Sequence, residues 1–271
     1  EVVSGVPPDD FSPTGQKWGH PLYDNAAHVA DGYGWWLERL EVLLELVDAI
    51  RLDHFRGLEA CWEVPQEAET AMEGRWVPGL GAPLLEAMKQ RFGEVPLIAE
   101  DLGVITQGVV DLRDTFDLPG MAVLQFAWGG MGEWHNPHLP HNHRECQVVY
   151  TGTHDNDTAI GWYHQAVHWS KEHVHRYLST SGHDIAWDLI RSAYRSVARY
   201  AIVPMQDVLR LDGRARMNEP GRADGNWGWR MGTEAMDPAL ARALADEVLI
   251  TGRTGLSRST LSVSSATEAT P

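Results

Sequence analysis

Arg51, Asp53, His54 and Arg56 crowd into the stretch RLDHFRG at 51–57, between the apolar run LLELVDAI and the segment LEACWEVP. Glu100 and Asp101 stand in LIAEDLG, and Asp155 stands in YTGTHDND. Each stretch continues a short apolar run. Any one of these carboxylates is most simply a salt-bridged or exposed group. Acids that recur at the ends of such runs suit a different chemistry, glycosyl transfer. A retaining mechanism needs one carboxylate as nucleophile and one carboxylic acid to protonate the leaving oxygen, about 5–5.5 Å away. A third acid can hydrogen-bond sugar hydroxyls and favour the oxocarbenium-like transition state.

The elements that must position these acids alternate. Ala49–Phe55, Val95–Leu102, Met121–Phe126, Gln147–Thr153 and Ala201–Leu209 read as strands, rich in Val, Ile and Leu and lacking clean polar alternation. That pattern fits parallel strands buried on both faces. Between them, Trp36, Leu40, Leu43, Leu44 and Val47 make a helical stripe over 35–47. Pro83 opens a helix that runs to Phe92, Thr106 caps one over 107–116, Asp184–Tyr200 is a long helix, and Asp237 caps one over 238–249. This order predicts an α/β fold with a parallel sheet. If the sheet closes into a (β/α) barrel, all the acid-bearing strand ends open on one face, where such barrels carry their active sites. A closed barrel needs eight strands, and about five are visible. The chain does not open on Met, and its first segment, EVVSGVPPDDFSPTGQKWGHP, reads as a loop. The expectation is that residues 1–250 are the C-terminal portion of a barrel whose first strands lie upstream, with sheet edges and apolar helix faces left exposed. Residues 251–271, rich in Ser and Thr and without periodicity, read as a disordered tail.

Composition narrows the partners. An apolar fraction of 43% is ordinary for a folded globular chain. A formal charge of −16 argues against nucleic acid and anionic membranes. No apolar run is long enough to span a bilayer. Cys61 and Cys146 have neither metal-type spacing nor the numbers of a disulfide framework, which fits a reducing, cytoplasmic setting. Twelve tryptophans would suit the C–H faces of sugars, although core packing explains most of any such set.

RLDHFRG, AEDLG and GTHDND, in this order, resemble the amylomaltase, or 4-α-glucanotransferase, family. VPPDDFSPTGQKWGHPLY, PGMAVLQFA, LPHN and MNEPGRADGNWGWR are similar to further segments of that family, so the likeness covers most of 5–235. It implies a TIM barrel and a retaining transfer of α-1,4-glucan segments between maltooligosaccharide or starch-like chains, with no cofactor and no metal. By position, Asp53 would be the nucleophile, Glu100 the general acid/base and Asp155 the transition-state stabiliser. Arg51, on the same side of the strand as Asp53, would keep that carboxylate ionised. His154 would bond sugar hydroxyls, Gln16 and Trp18 would line the cleft, and Asn226 and Trp227 fall in the matching GNWGWR segment. Cys61 departs from the family, where an aromatic residue is expected. Two rival readings are an α-glucan hydrolase and a non-catalytic glucan-binding remnant.

Other signals carry less. His135, His138, His141 and His143 have loop-like spacing interrupted by prolines, and no acid or cysteine completes a metal site. HDND at 154–157 offers oxygen ligands for a hard cation, which the resemblance does not require. Asp101 should point away from Glu100. Arg56, Glu63 and Arg230 read as members of structural ion pairs.

Overall fold

The computed structural model describes residues 1–9 and 12–254. Its elements are β1 (Val2–Val6), β2 (Gln16–Lys17), α1 (Asn25–Ala30), α2 (Gly34–Leu44), β3 (Ile50–Leu52), α3 (Arg56–Glu59), β4 (Ala60–Pro65), β5 (Arg75–Pro78), α4 (Gly81–Phe92), β6 (Leu97–Ala99) and α5 (Gln107–Thr115). They continue with β7 (Gly120–Val123), β8 (Gln147–Tyr150), α6 (Ala159–Gln165), α7 (His168–Leu178), α8 (Ile185–Arg195), β9 (Tyr200–Ile202), α9 (Met205–Val208) and α10 (Pro238–Ile250). The chain divides into two compact units, residues 1–121 with 146–148, and residues 122–145 with the chain from 149 onward.

In the first unit β3 and β6 pair in parallel, Arg51 opposite Ile98 and Leu52 opposite Ala99. They share an apolar core in which Trp36 and Leu40 of α2, Leu84, Leu85 and Met88 of α4 and Val109 of α5 pack with Phe55, Leu97 and Leu118. Thr106 caps α5 by accepting from the Val109 amide at 3.4 Å, as its position predicts. A second sheet was not foreseen. The opening segment is not a loop: β1 pairs antiparallel with β2 and β4, and β4 with β5, in the order β2-β1-β4-β5. Across it Trp62 faces Trp76 and Glu63 faces Arg75, which lie 3.0 Å apart as an ion pair. These strands are short, and Ser4 and Gly5 dilute the apolar signal of β1. Even so, Trp62 and Val64 alternate with Cys61 and Glu63, the period-two pattern of a half-buried strand.

The second unit holds the greater part of the sheet ordered β7-β8-β9. Both β7 and β8 are buried throughout, as their continuous apolar runs predict. Leu124, Trp128, Leu139, Val149, Val174, Ile185 and Leu189 form its main core. Several predicted elements end early, α8 and β9 among them. Ser196 turns extended after α8, its hydroxyl accepting from the Ala198 amide at 3.1 Å, so the helix stops at Arg195 and not at Tyr200. Pro204 has no N–H to extend a ladder, so β9 stops at Ile202 and residues 205–208 coil into α9. Asp237 caps α10 through the Ala239 amide at 2.8 Å, as predicted. At the start of the predicted tail, Arg253 donates to the carbonyls of Tyr194, Ser196 and Ala198 at 2.7, 2.6 and 2.8 Å, so residues up to Thr254 are fastened. The rest of that tail lies outside the described residues. Among the described residues no helix is long and apolar enough to cross a membrane.

Candidate active site

The parallel register of β3 and β6 makes Asp53 and Glu100 the next residues on adjacent strands, at the same ends. Main-chain bonds continue the pairing: Glu100 N–H donates to Leu52 O at 3.1 Å and Phe55 N–H to Glu100 O at 3.0 Å. Between them the chain turns sharply, with His54 at φ +51°. That left-handed conformation is rare for a non-glycine residue, and here it aims the His54 N–H at Glu100 Oε2, 2.7 Å away. The Leu102 N–H donates to Oε1 at 3.0 Å. Burial pushes the Glu100 carboxyl above its ordinary range. The two amide bonds and Arg51 oppose that rise, and the negative charge of Asp53 adds to it.

Asp53 has the opposite setting. Its side chain is 77% exposed, and Arg51 Nη2 lies 2.8 Å from its Oδ1, the ion pair that spacing along a strand predicts. Among the described residues the buried Arg51 Nε has no hydrogen-bond partner. Two carboxyl groups thus stand on neighbouring strand ends in different settings, one exposed and ion-paired, one buried and favouring its proton, a contrast that suits a nucleophile beside an acid.

Gln16 and Trp18 reach the same place. The Trp18 indole meets the His54 imidazole edge-on at 4.9 Å and donates to Gln16 Oε1 at 3.2 Å. The main-chain N–H of Trp18 donates to Ser4 O at 3.0 Å, so the unforeseen antiparallel sheet sets this tryptophan. His54 itself was present in RLDHFRG without being assigned a role. Burial holds it below the ordinary histidine range, against the pull of Asp53 and with the help of Arg56. Cys61 donates to Gly57 O at 3.1 Å and its thiol is pushed up by burial.

In the second unit, His154 and Asp155 lie on the loop between β8 and α6. His154 Nε2 is 3.3 Å from Asp155 Oδ2, and Asn218 Nδ2 donates to Asp155 Oδ1 at 2.6 Å. Arg216 Nη2 donates to Asp155 O at 2.7 Å, and the Asn218 N–H to His154 O at 3.1 Å. Arg216 and Asn218 are the functional candidates that sequence reading passed over, though Asn218 lies within the family-like MNEPGRADGNWGWR and Arg216 directly precedes it. Trp227, at φ +60° and 54% exposed, holds its ring 5.3 Å from that of His154. Asn226 does not present free polar atoms: its Oδ1 accepts from the Glu219 N–H at 2.9 Å, and its Nδ2 donates to Glu219 O and Arg222 O. It closes the loop that displays Trp227. Asp155 and Arg216 also line a pocket of about 310 Å³ with Phe126 and Trp162, two aromatic rings beside a carboxylate, a lining that suits a sugar.

The remaining candidates resolve simply. Asp101 is buried against Arg113 and accepts from the Met121 N–H at 2.7 Å. Among the described residues Arg56 makes no ion pair; its guanidinium stacks 3.9 Å over the Trp76 ring and donates to Val104 O. Arg230 likewise donates to the carbonyls of Trp227 and Trp229. The histidine loop is structural: His138 accepts from Val123 N–H, His141 meets Tyr177 Oη and Trp134 O, and His143 meets Ser196 Oγ and His138 O. Among the described residues no group of three His, Cys, Asp or Glu is disposed to hold a metal ion.

The 4-alpha-glucanotransferase family model matches residues 1–235. The chain belongs to the 4-α-glucanotransferase family. It is 53% identical over 231 residues to a chloroplastic/amyloplastic 4-α-glucanotransferase of Arabidopsis thaliana, covering 85% of this chain and 40% of that protein. It is 50% identical over 256 residues to a 4-α-glucanotransferase of Thermus thermophilus, covering 90% and 51%. Among solved structures it resembles the amylomaltase of Streptococcus agalactiae in complex with acarbose, with a TM-score of 0.88, 33% identity, and coverage of 93% of this chain and 51% of that one. The chain therefore spans about half the length of the 4-α-glucanotransferases it matches.

Proposed function

We propose that this chain carries the catalytic residues of a retaining 4-α-glucanotransferase that acts on maltooligosaccharides or starch-like glucans in the cytoplasm, and that β3, β6, β7, β8 and β9 are five strands of a (β/α)₈ barrel within residues 1–250. One observation carries the reading: the buried, proton-favouring Glu100 carboxyl sits on the strand end next to the exposed, Arg51-paired Asp53 carboxylate. Family membership and the likeness to an amylomaltase solved with acarbose support it. Both cysteines are free, in keeping with a reducing compartment.

In this mechanism Asp53 attacks the anomeric carbon while protonated Glu100 gives its proton to the glycosidic oxygen, and the leaving glucan departs. The 4-hydroxyl of a second glucan then gives its proton to Glu100 and displaces Asp53, restoring the α-linkage. Arg51, 2.8 Å from Asp53 Oδ1, orients the attacking carboxylate. His154 and Asp155 bond sugar hydroxyls as positive charge builds on the ring, with Asn218 and Arg216 fixing Asp155 and its backbone. Trp18 and Gln16 line the cleft, and an indole there helps a sugar displace water as acceptor. Trp227 supplies a second aromatic face, which Asn226 holds through its loop. None of these steps calls on a metal or cofactor.

Incubation with maltotriose tests the proposal. A ladder of longer maltooligosaccharides with released glucose, lost in Asp53→Asn, is the expected result. Shorter sugars alone would mean a hydrolase. Glucan binding without any product, in a protein shown to be folded, would mean a non-catalytic binding protein.

A further inference from the structure

Asp207 has no place in the chemistry above, yet it is the most deeply buried charged side chain near the loop that carries His154 and Asp155, at 1% exposure. Its two carboxylate oxygens grip the two ends of that loop. The Thr151 hydroxyl donates to Oδ2 at 2.6 Å, and the Ala159 N–H donates to Oδ1 at 2.7 Å. Thr151 and Ala159 are themselves fully buried. Inside the loop, Gln125 Nε2 donates to Asp157 O at 2.8 Å, and the chain runs so close to that amide that a Cβ on Gly152 would meet Gln125 Nε2 at 2.5 Å.

Asp207 is in turn held by α9. The Trp187 indole of α8 donates to Val208 O at 3.1 Å, tying α9 to the core of the second unit. The preceding residue, Gln206, donates to Ala215 O at 3.3 Å, next to the Arg216 that bonds the Asp155 carbonyl. Two adjacent buried side chains on one short helix thus reach both segments that fix Asp155.

We infer that Asp207 is a positioning residue that sets where His154 and Asp155 stand, by clamping Thr151 to Ala159 across the loop. The inference rests on the proposed roles of those two residues. Burial holds the Asp207 carboxyl above its ordinary range, against the two hydrogen bonds and with Asp157 adding to the rise. The clamp works by hydrogen bonding. An asparagine amide can accept from the Ala159 N–H and donate to the Thr151 oxygen, whereas alanine keeps neither bond.

The test compares full-chain Asp207→Ala, Asp207→Asn, Thr151→Val and Thr151→Ser by hydrogen exchange and by maltotriose turnover per folded molecule. In Asp207→Ala, exchange of amides 152–159 should quicken at least tenfold while amides 186–193 in α8 stay within twofold. Its kcat should fall at least tenfold with KM within threefold. Asp207→Asn and Thr151→Ser should stay within threefold of the parent, and Thr151→Val should fall between. If Asp207→Ala does not fold, Thr151→Val against Thr151→Ser decides alone. Loop exchange that is unchanged, that quickens equally in α8, or that quickens without loss of kcat would overturn the inference, as would an Asp207→Asn variant as impaired as Asp207→Ala. A parent without transferase activity would refute the proposed function, while exchange at 152–159 would still decide whether Asp207 fastens the loop.

Discussion

Glu100 is the side chain on which the residue-scale chemistry turns, because its setting makes a signed prediction. An acid held above its ordinary range is protonated further up the pH scale, so a rate that needs that proton falls as pH rises through the raised value. Glu100→Gln should cost about 10²–10⁴ in kcat, the usual worth of a general acid/base, and remove the alkaline limb of the pH–rate profile. Stability follows the same sign. The native protein binds this proton more tightly than the unfolded chain, so the stabilisation is complete below the ordinary carboxylate range and is lost as pH rises through the folded value. Urea titrations from pH 4 upward should show a smaller loss in Glu100→Gln; an identical loss would mean that Glu100 does not titrate high. Asp53 and Arg51 were legible in the sequence because period two on a strand puts them on one side. Asn218 and Arg216 were not, since each meets Asp155 across more than sixty residues of chain and no local pattern encodes that meeting.

At the scale of elements, one histidine fastens the end of β7. His138 Nδ1 accepts from the Val123 N–H at 3.1 Å, which only an unprotonated nitrogen can do. Burial above all, with His143 nearby, lowers its pKa from 6.5 to about 4. A folded value below the unfolded one gives stability that is present above pH 6.5 and lost as pH falls towards about 4. Between pH 7 and pH 5 this group alone should cost about 1–2 kcal/mol. His138→Asn keeps an acceptor for Val123 and removes the titration, so denaturant melts at the two pH values should converge by about that amount. An undiminished loss would place the acid sensitivity elsewhere. The same scale shows what patterning can carry. Strands β3, β6, β7, β8 and β9 fall on the predicted runs because short Val- and Ile-rich stretches are distinctive, and the caps at Thr106 and Asp237 read correctly because capping is local. The antiparallel sheet did not, because its strand pairing joins β1 to β4 across some sixty residues and leaves only weak alternation in each.

At the scale of the whole molecule, each unit buries its own core, yet large apolar side chains remain in solvent. The sequence stripe over α2 predicts one continuous buried face. Trp36 and Leu40 are buried, but the helix ends at Leu44 and the stripe's Leu43 and Val47 lie open, beside Val42 at 61% and Leu46 at 79% exposure. Periodicity marks a face as apolar without saying whether the chain in hand supplies its cover, and this chain spans about half the length of the family members it matches. An open run of four apolar residues over about two turns should bind a hydrophobic dye. Val42→Glu with Leu46→Lys replaces two of them by charged side chains of opposite sign and leaves the net charge unchanged. Dye fluorescence should fall by about half, while the far-ultraviolet circular dichroism holds and the unfolding free energy stays within about 0.5 kcal/mol, as befits exposed positions. Unchanged fluorescence would mean that another surface takes the dye. A large fall in stability would mean that Val42 and Leu46 are covered in solution.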